Sequence, residues 1–322
     1  LAYEGMGCWA LIWQNIVQQF LLSVFSFPFC KWRIRGLCSK TSFYDVFRFG
    51  SNVLLAELLY TVVENLRTLI IGARYSSADL AYYDRGQTYP AVAMRSIYDT
   101  AGSVLLPIFS REQNDILKLR QSAQKALGFS FFLIAPCFIG FAMIAEPFTK
   151  LLLTDKWISC VPYVRVFCIY QLGILPYCIL RNILYATGNS KRCLLLEILK
   201  AVLSLAAILI GMLINTFAVA LFSTLAVWLA TFAYGVEIHK QICFKLKELF
   251  SDFISVIINC LAMSIAILFV NKFVSNYILK ILLDILTGVV VYILFAIATD
   301  SKYFNESFNI VKRIIKQIYG RK

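Results

Sequence analysis

Nine stretches of about 20 mostly apolar residues run through this chain, and one soluble core has no room for them all. They lie near residues 6–29, 49–72, 88–110, 126–146, 159–182, 193–214, 217–237, 251–271 and 278–299. A helix crossing the hydrocarbon of a bilayer needs about 20 such residues, so each stretch is long enough to span. Of the 322 residues, 60% are hydrophobic and only 15% charged, and the mean hydropathy is +0.74. These values predict an all-α integral membrane protein of about nine transmembrane helices.

The basic residues test that count independently, because cytoplasmic loops carry the Lys/Arg excess. One set of alternate loops holds 20 Lys and Arg, Arg181 among them, and the other set holds five: Arg74, Arg85, Lys150, Lys156 and Lys272. A miscounted helix would scramble this alternation. It predicts that Leu1 starts outside and Lys322 ends in the cytoplasm. The net charge of +13 gathers in these short clusters, so it reads as a topology signal and not as a nucleic-acid surface. The ten cysteines form no CxxC pair and lie scattered in apolar runs, where Cys acts as a small hydrophobe. Neither a metal site nor any other cofactor is expected. His239, the single histidine, reads as a polar residue at the end of a span.

Three segments between spans carry their own expectations. YYDRGQTYP (82–90) reads as a loop joining two long helices. EPFTKLLLTDKW (146–157) predicts a short helix lying at the outer interface, where Trp157 would anchor it. In the tail, Phe304, Phe308, Val311, Ile315 and Ile318 recur at helical spacing, with Lys312, Arg313 and Lys316 off that stripe. That pattern predicts an amphipathic helix on an anionic inner leaflet.

Charges inside spanning segments are costly, about 2.5–3.5 kcal/mol each on insertion scales, and usually face a protein interior or a wet cavity. Most here can pair along their own helix: Glu64 with Arg67, Arg95 with Asp99, Glu197 with Lys200, and Lys280 with Asp284. For the last two pairs, neutralisation during insertion is a sufficient explanation. Glu57, Glu64 and Arg67, at i, i+7 and i+10, instead form a polar stripe suited to a cavity face. Arg67, Arg95 and Arg165 all fall in the outer half of the bilayer when rise is counted from the span ends. Their planar forks suit phosphate oxygens, which makes them, with Asp99, candidates to line a site for a phosphate-bearing substrate. Glu57 has no basic neighbour within a turn. Either it takes up H⁺ or Na⁺ as an ion-coupling carboxylate, together with Glu64, or it forms a cross-helix salt bridge to Arg165. Pro90, Pro107, Pro136, Pro162 and Pro176 in or beside spans three to five offer bending points for alternating access.

Five stretches now carry a resemblance: GCWALIWQ (7–14), LAYYDRGQTYP (80–90), LPIFSREQND (106–115), AEPFTKLLLTDKW (145–157) and YATGNSKR (185–192). In order and spacing they resemble bacterial polysaccharide exporters of the Wzx type, relatives of the MATE drug exporters and MviN lipid II flippases. The resemblance implies two six-helix lobes facing a central cavity, followed by two extra helices. On that scheme residues 1–35 are the last helix of the first lobe and a basic linker, 43–240 the second lobe, 248–300 the extra pair, and 301–322 a basic cytoplasmic tail. The start at Leu1, just ahead of a hydrophobic segment, fits an N-terminal truncation whose missing helices would be partners of this chain.

The function so implied is the transfer of an undecaprenyl-pyrophosphate-linked oligosaccharide across the bacterial inner membrane, for lipopolysaccharide O-antigen or another surface glycan. Its partners are the lipid-linked oligosaccharide and membrane lipids. A lipid II or drug exporter of the same superfamily, and a nonfunctional gene remnant, stay open as alternatives. An enzyme is not expected. The longest loops are about 15–20 residues, too short for a folded domain, and GxGxxG, P-loop, HExxH and nucleophile-elbow motifs are absent.

Overall fold

The structure is a computed structural model and describes residues 8–29, 40–243, 246–272, 274, 276–299 and 303–305. Nine α-helices and one 3₁₀ turn make up its regular elements: α1 Cys8–Phe29, α2 Lys40–Arg74, α3 Ser77–Glu112, α4 Ile116–Leu153, the turn Asp155–Cys160, α5 Val161–Ala186, α6 Ser190–Gly211, α7 Thr216–Ile242, α8 Leu246–Val270 and α9 Tyr277–Ala298. The nine apolar stretches each fall on one of these helices. The basic linker 30–39 and the amphipathic tail expected around Phe308 to Ile318 lie outside the described residues.

Two compact units divide the chain inside α2, residues 1–47 and 48–322. In the first, α1 carries Trp13, Phe20, Leu22 and Phe25 on its exposed surface. Among the described residues seven helices are long and apolar enough to cross a membrane: α2 from Val46, α4, α5 with its leading 3₁₀ turn, α6, α7, α8 from Phe253, and α9. This is a multi-pass membrane protein. The physical reason α3 falls short of that hydropathy test is its content of Arg95, Ser96, Asp99, Thr100 and Ser103 along its apolar half.

Helices α2, α3 and α4 have 35, 36 and 38 residues, about 52–57 Å at 1.5 Å per residue. A bilayer core is about 30 Å thick, so their ends project into the head groups and beyond. Two expectations fail for this reason. The stretch 82–90 is not a loop but the second to fourth turns of α3, which starts after the cap Ser76, whose Oγ accepts from Asp79 N at 3.1 Å. Its glycine marks a close helix crossing: a Cβ on Gly86 would sit 2.3 Å from Tyr163 Cβ on α5. The aromatic residues beside it pack at helical spacing, Tyr83 on Tyr163 and Phe167, Tyr89 on Phe148, and Tyr82 on Trp157. Likewise residues 146–153 do not form a separate interfacial helix; they continue α4, which passes through Pro147 unbroken, and only Asp155–Cys160 forms its own turn.

Short connections between α2 and α7 force neighbouring helices to run antiparallel. The YATGNS stretch is one such turn. Gly188 takes φ +73°, and Asn189 N donates to Leu184 O at 2.9 Å while Gly188 N donates to Tyr185 O at 3.1 Å, the paired bonds of a Schellman motif. At the same end of the bundle Asp115 caps α4, and the hydrogen bond from Lys118 holds its carboxyl below the usual aspartate range. Helix α5 is the hub, packed on α3, α4 and α7, and Phe167, Ile179, Ile183 and Leu184 on it are fully buried. Helices α8 and α9 pack on α4 through the stacked rings of Phe131 and Phe253 and the bond from Tyr292 Oη to Phe132 O.

Candidate functional site

One face of α5 organises the polar groups of the second unit. Tyr163, Tyr170 and Tyr177 recur every seven residues and Arg181 follows one turn later, a spacing that keeps all four on nearly one side of a helix. Side chains from α2, α3, α6 and α7 meet this stripe at three places.

The first is Arg67 on α2, only 2% exposed, whose fork donates from Nη2 and Nη1 to the two Glu64 oxygens at 2.8 and 2.9 Å. Gln87 of α3 donates to the same carboxylate at 3.4 Å, and the phenols of Tyr83 and Tyr170 flank the guanidinium. The expected Glu64–Arg67 pair therefore forms, and it ties α2 to α3 and α5.

The second is Arg181, which the loop-charge count treated as cytoplasmic. It lies inside α5, and its side chain is 12% exposed. Its Nη1 donates to Glu57 Oε1 at 2.9 Å and to Tyr177 Oη at 3.4 Å, and its Nη2 to Tyr98 Oη on α3. The rings of Tyr98, Tyr177 and Tyr185 surround the guanidinium carbon at 5.6–5.7 Å, within cation–π range. Glu57 thus does form a cross-helix bridge, but to Arg181 and not to Arg165. Its own side chain stays 49% exposed. The signal for Arg181 was present in the sequence: Tyr177 and Tyr185 stand one turn before and one turn after it.

The third is Glu197 with Lys200 on α6, both buried. Tyr177 and Tyr234 donate to Glu197 Oε1, Tyr234 at 2.8 Å, and Lys200 Nζ stands 3.6 Å from Oε2. The Lys200 ammonium lies over the Tyr177 and Tyr60 rings at 3.8 and 5.0 Å. Self-neutralisation along α6 is therefore only part of the arrangement, which also clamps α5, α6 and α7 together. Beside it a cavity of about 10 Å³, lined by Tyr60, Glu64, Tyr170, Glu197, Lys200 and Ser204, is about the size of one water. Because the Tyr177 hydroxyl meets both Glu197 and Arg181, an unbroken polar line runs Glu57, Arg181, Tyr177, Glu197, Lys200.

The remaining candidates stand elsewhere. Arg95 and Asp99 do not pair with each other; both are exposed on α3, with no hydrogen-bond or ion-pair partner among the described residues. Arg165 is exposed on α5 and donates from Nε to Ala142 O on α4 at 3.3 Å. It precedes Tyr170 by five residues, about 140° around the helix, and so faces away from the stripe that holds Arg67. The three arginines are not brought together. Lys280 and Asp284 do not pair either. With its amide nitrogen turned to Asp284, Asn271 donates to both carboxylate oxygens at 3.1 Å, so α9 exchanges this bond with the end of α8.

Helices arranged in this way define a class of membrane transporter fold. The structure resembles the lipid II flippase MurJ in an inward closed conformation, with a TM-score of 0.61 and 18% identity over 81% of this chain and 56% of that one. It also resembles an outward-facing multidrug resistance MATE transporter of the MOP superfamily, with a TM-score of 0.50 and 14% identity over 84% and 69% of the two chains. The family described as polysaccharide biosynthesis protein matches residues 1–162, half of the sequence, and the chain belongs to that family. It is 24% identical over 125 residues to the lipopolysaccharide biosynthesis protein WzxC of Escherichia coli (strain K12), covering 39% of this chain and 25% of WzxC. It is 22% identical over 145 residues to the teichuronic acid biosynthesis protein TuaB of Bacillus subtilis (strain 168), covering 45% and 30%. The matched regions span between a quarter and a third of the length of these two relatives.

Proposed function

We propose that this protein carries an undecaprenyl-pyrophosphate-linked oligosaccharide from the inner to the outer leaflet of the bacterial inner membrane, for surface polysaccharide assembly. It acts as a transporter and makes or breaks no covalent bond. Residues 43–240 form the second lobe, 248–300 the extra helix pair, and the charge alternation puts the C-terminus in the cytoplasm. Arg181 lies inside a span, and leaving it out of the loop count gives nineteen basic residues against five, so the asymmetry survives.

The observation that carries the reading is the pair Arg181–Glu57. A cation nearly buried among three tyrosines is neutralised by a half-exposed carboxylate, and its Nε has no partner among the described residues. A phosphate can displace such a carboxylate, because the guanidinium fork accommodates a phosphoryl group as readily. Arg95 and Asp99, unpaired on α3, supply further polar contacts along the same path. Once displaced, Glu57 is free to take H⁺ or Na⁺, which couples ion uptake to substrate binding. Glu64 holds Arg67 in place and shares the cavity with Glu197, so it is the second ion-coupling candidate. Arg67 positions α2 beneath the substrate.

The test is surface polysaccharide and lipid-linked intermediate in cells carrying Arg181→Gln or Arg95→Gln at the native locus. Arg181→Gln should abolish export and leave lipid-linked oligosaccharide on the inner leaflet, Arg95→Gln should weaken it, and Arg181→Lys should restore part of it. Wild-type export by Arg181→Gln would overturn the reading.

A further inference from the structure

The cations of the α5 stripe are matched by carboxylates and tyrosines, whereas in a second group at the α4–α5 end of the bundle the cations outnumber the carboxylates. There the last turns of α4 bring Glu146 and Lys150, the second turn of α5 brings Arg165, and the first turn of α9 brings Tyr277 and Lys280. Lys150 Nζ is 2.9 Å from Glu146 Oε1 and 5.2 Å from the centre of the Tyr277 ring. Arg165 and Lys280 are close enough to act on the same Glu146 carboxylate. Two carboxylates, Glu146 and, one turn along α9, Asp284, thus face three cations. Arg165 uses only Nε, toward the Ala142 carbonyl, and neither its two Nη groups nor the Lys280 ammonium has a partner among the described residues.

Three further features favour an anion here. The N-termini of α5 and α9 both point their positive dipole ends at this place. Arg165 offers two free parallel donors, the geometry that phosphate oxygens accept. One turn below Arg165 on the same side of α5, Ile169 is exposed, so apolar surface continues from the cationic group toward the bilayer centre. A ligand with a phosphate at the head-group level and a hydrocarbon chain below it matches this order.

We propose that Arg165, Lys280 and Lys150 hold the phosphodiester of an anionic membrane phospholipid in the leaflet next to the α4–α5 turn, at a site apart from the transport path. It is a resident lipid and not the carried one, because Arg165 is turned about 140° away from the Tyr170 side of α5. The bound phosphate adds a tie among α9, α4 and α5 beside the Lys150–Tyr277 contact.

The experiment uses the full chain purified and reconstituted in nanodiscs, with bound lipid measured by native mass spectrometry and unfolding by temperature. Phosphatidylglycerol should be retained and should raise the unfolding temperature more than phosphatidylcholine. The double variant Arg165→Gln/Lys280→Gln should lower phosphatidylglycerol affinity about 30-fold, from the contribution of two basic side chains near a membrane surface. Arg165 loses one 3.3 Å bond to a backbone carbonyl and Lys280 has no hydrogen-bond partner among the described residues, so the variant should unfold at nearly the wild-type temperature in lipid-free detergent. As a control, Lys156→Gln/Lys272→Gln removes two charges from the same side without touching this group and should leave retention unchanged. A loss smaller than about threefold in the double variant, equal binding of the two phospholipids, or stabilisation by inorganic phosphate equal to that by phosphatidylglycerol would each overturn the proposal. So would displacement of the retained lipid by undecaprenyl pyrophosphate, which would assign the group to the carried substrate.

Discussion

Glu197 with Lys200 and Glu57 with Arg181 are the same chemistry at two depths. Both are carboxylate–cation pairs dressed by tyrosines, and both touch the Tyr177 hydroxyl. The first joins α5, α6 and α7 under the Tyr60 ring of α2, with both partners buried; the second reaches across to α2 with a carboxylate 49% exposed. Desolvation decides what each can do. A buried pair cannot release one partner without leaving an uncompensated charge in low dielectric, whereas a half-exposed carboxylate can be rehydrated when something else takes its cation. The inner pair therefore holds the bundle together, and the outer pair is the one suited to exchange.

The contrast breaks most visibly at Glu197. Glu197→Ala strands the Lys200 ammonium and should cost about 3–5 kcal/mol, read as a large drop in unfolding temperature in detergent. A variant as stable as wild type would mean that Lys200 is already solvated and that the two pairs do not differ. Next comes Gly86→Val, which pushes α3 off α5 at Tyr163. Overpacking there should cost about 1–3 kcal/mol and also move Tyr98 away from Arg181, so that both stability and export fall. Export unchanged at reduced stability would separate the crossing from the outer pair. Glu57→Gln is the mildest, about 0–1 kcal/mol for a half-exposed pair. Its signature should be transport that no longer depends on pH or Na⁺, and unchanged dependence would remove the coupling role.

Much of this was legible in the residues and some was misleading. Hydropathy located all nine helices because the cost of exposing backbone to lipid leaves a spanning segment no other regular structure. It underestimated α2, α3 and α4 because their ends leave the hydrocarbon, where polarity no longer argues against a helix. Gly86 and Pro90 looked like loop punctuation, but both lie inside α3, and Gly86 permits a close crossing with Tyr163. Intrahelical spacing found Glu64–Arg67 and Glu197–Lys200. The same rule paired Arg95 with Asp99 and Lys280 with Asp284, where spacing permits contact but nothing holds the side chains together. Arg181 was hidden by its position near the end of a span, since a charge count cannot tell a lipid-facing terminus from a tyrosine-lined interior.

The sequence by itself determined that this is a helical membrane protein and where its helices lie. Those properties depend on local transfer free energies and short-range periodicity, which a linear string contains. Only the tertiary structure decided which charges meet: Glu57 with Arg181, Asn271 with Asp284, and Arg165 turned to α4 away from Arg67. Such pairings depend on the rotation of each helix about its own axis, and that rotation is set by close contacts such as Gly86 on Tyr163, between residues 77 positions apart in the chain.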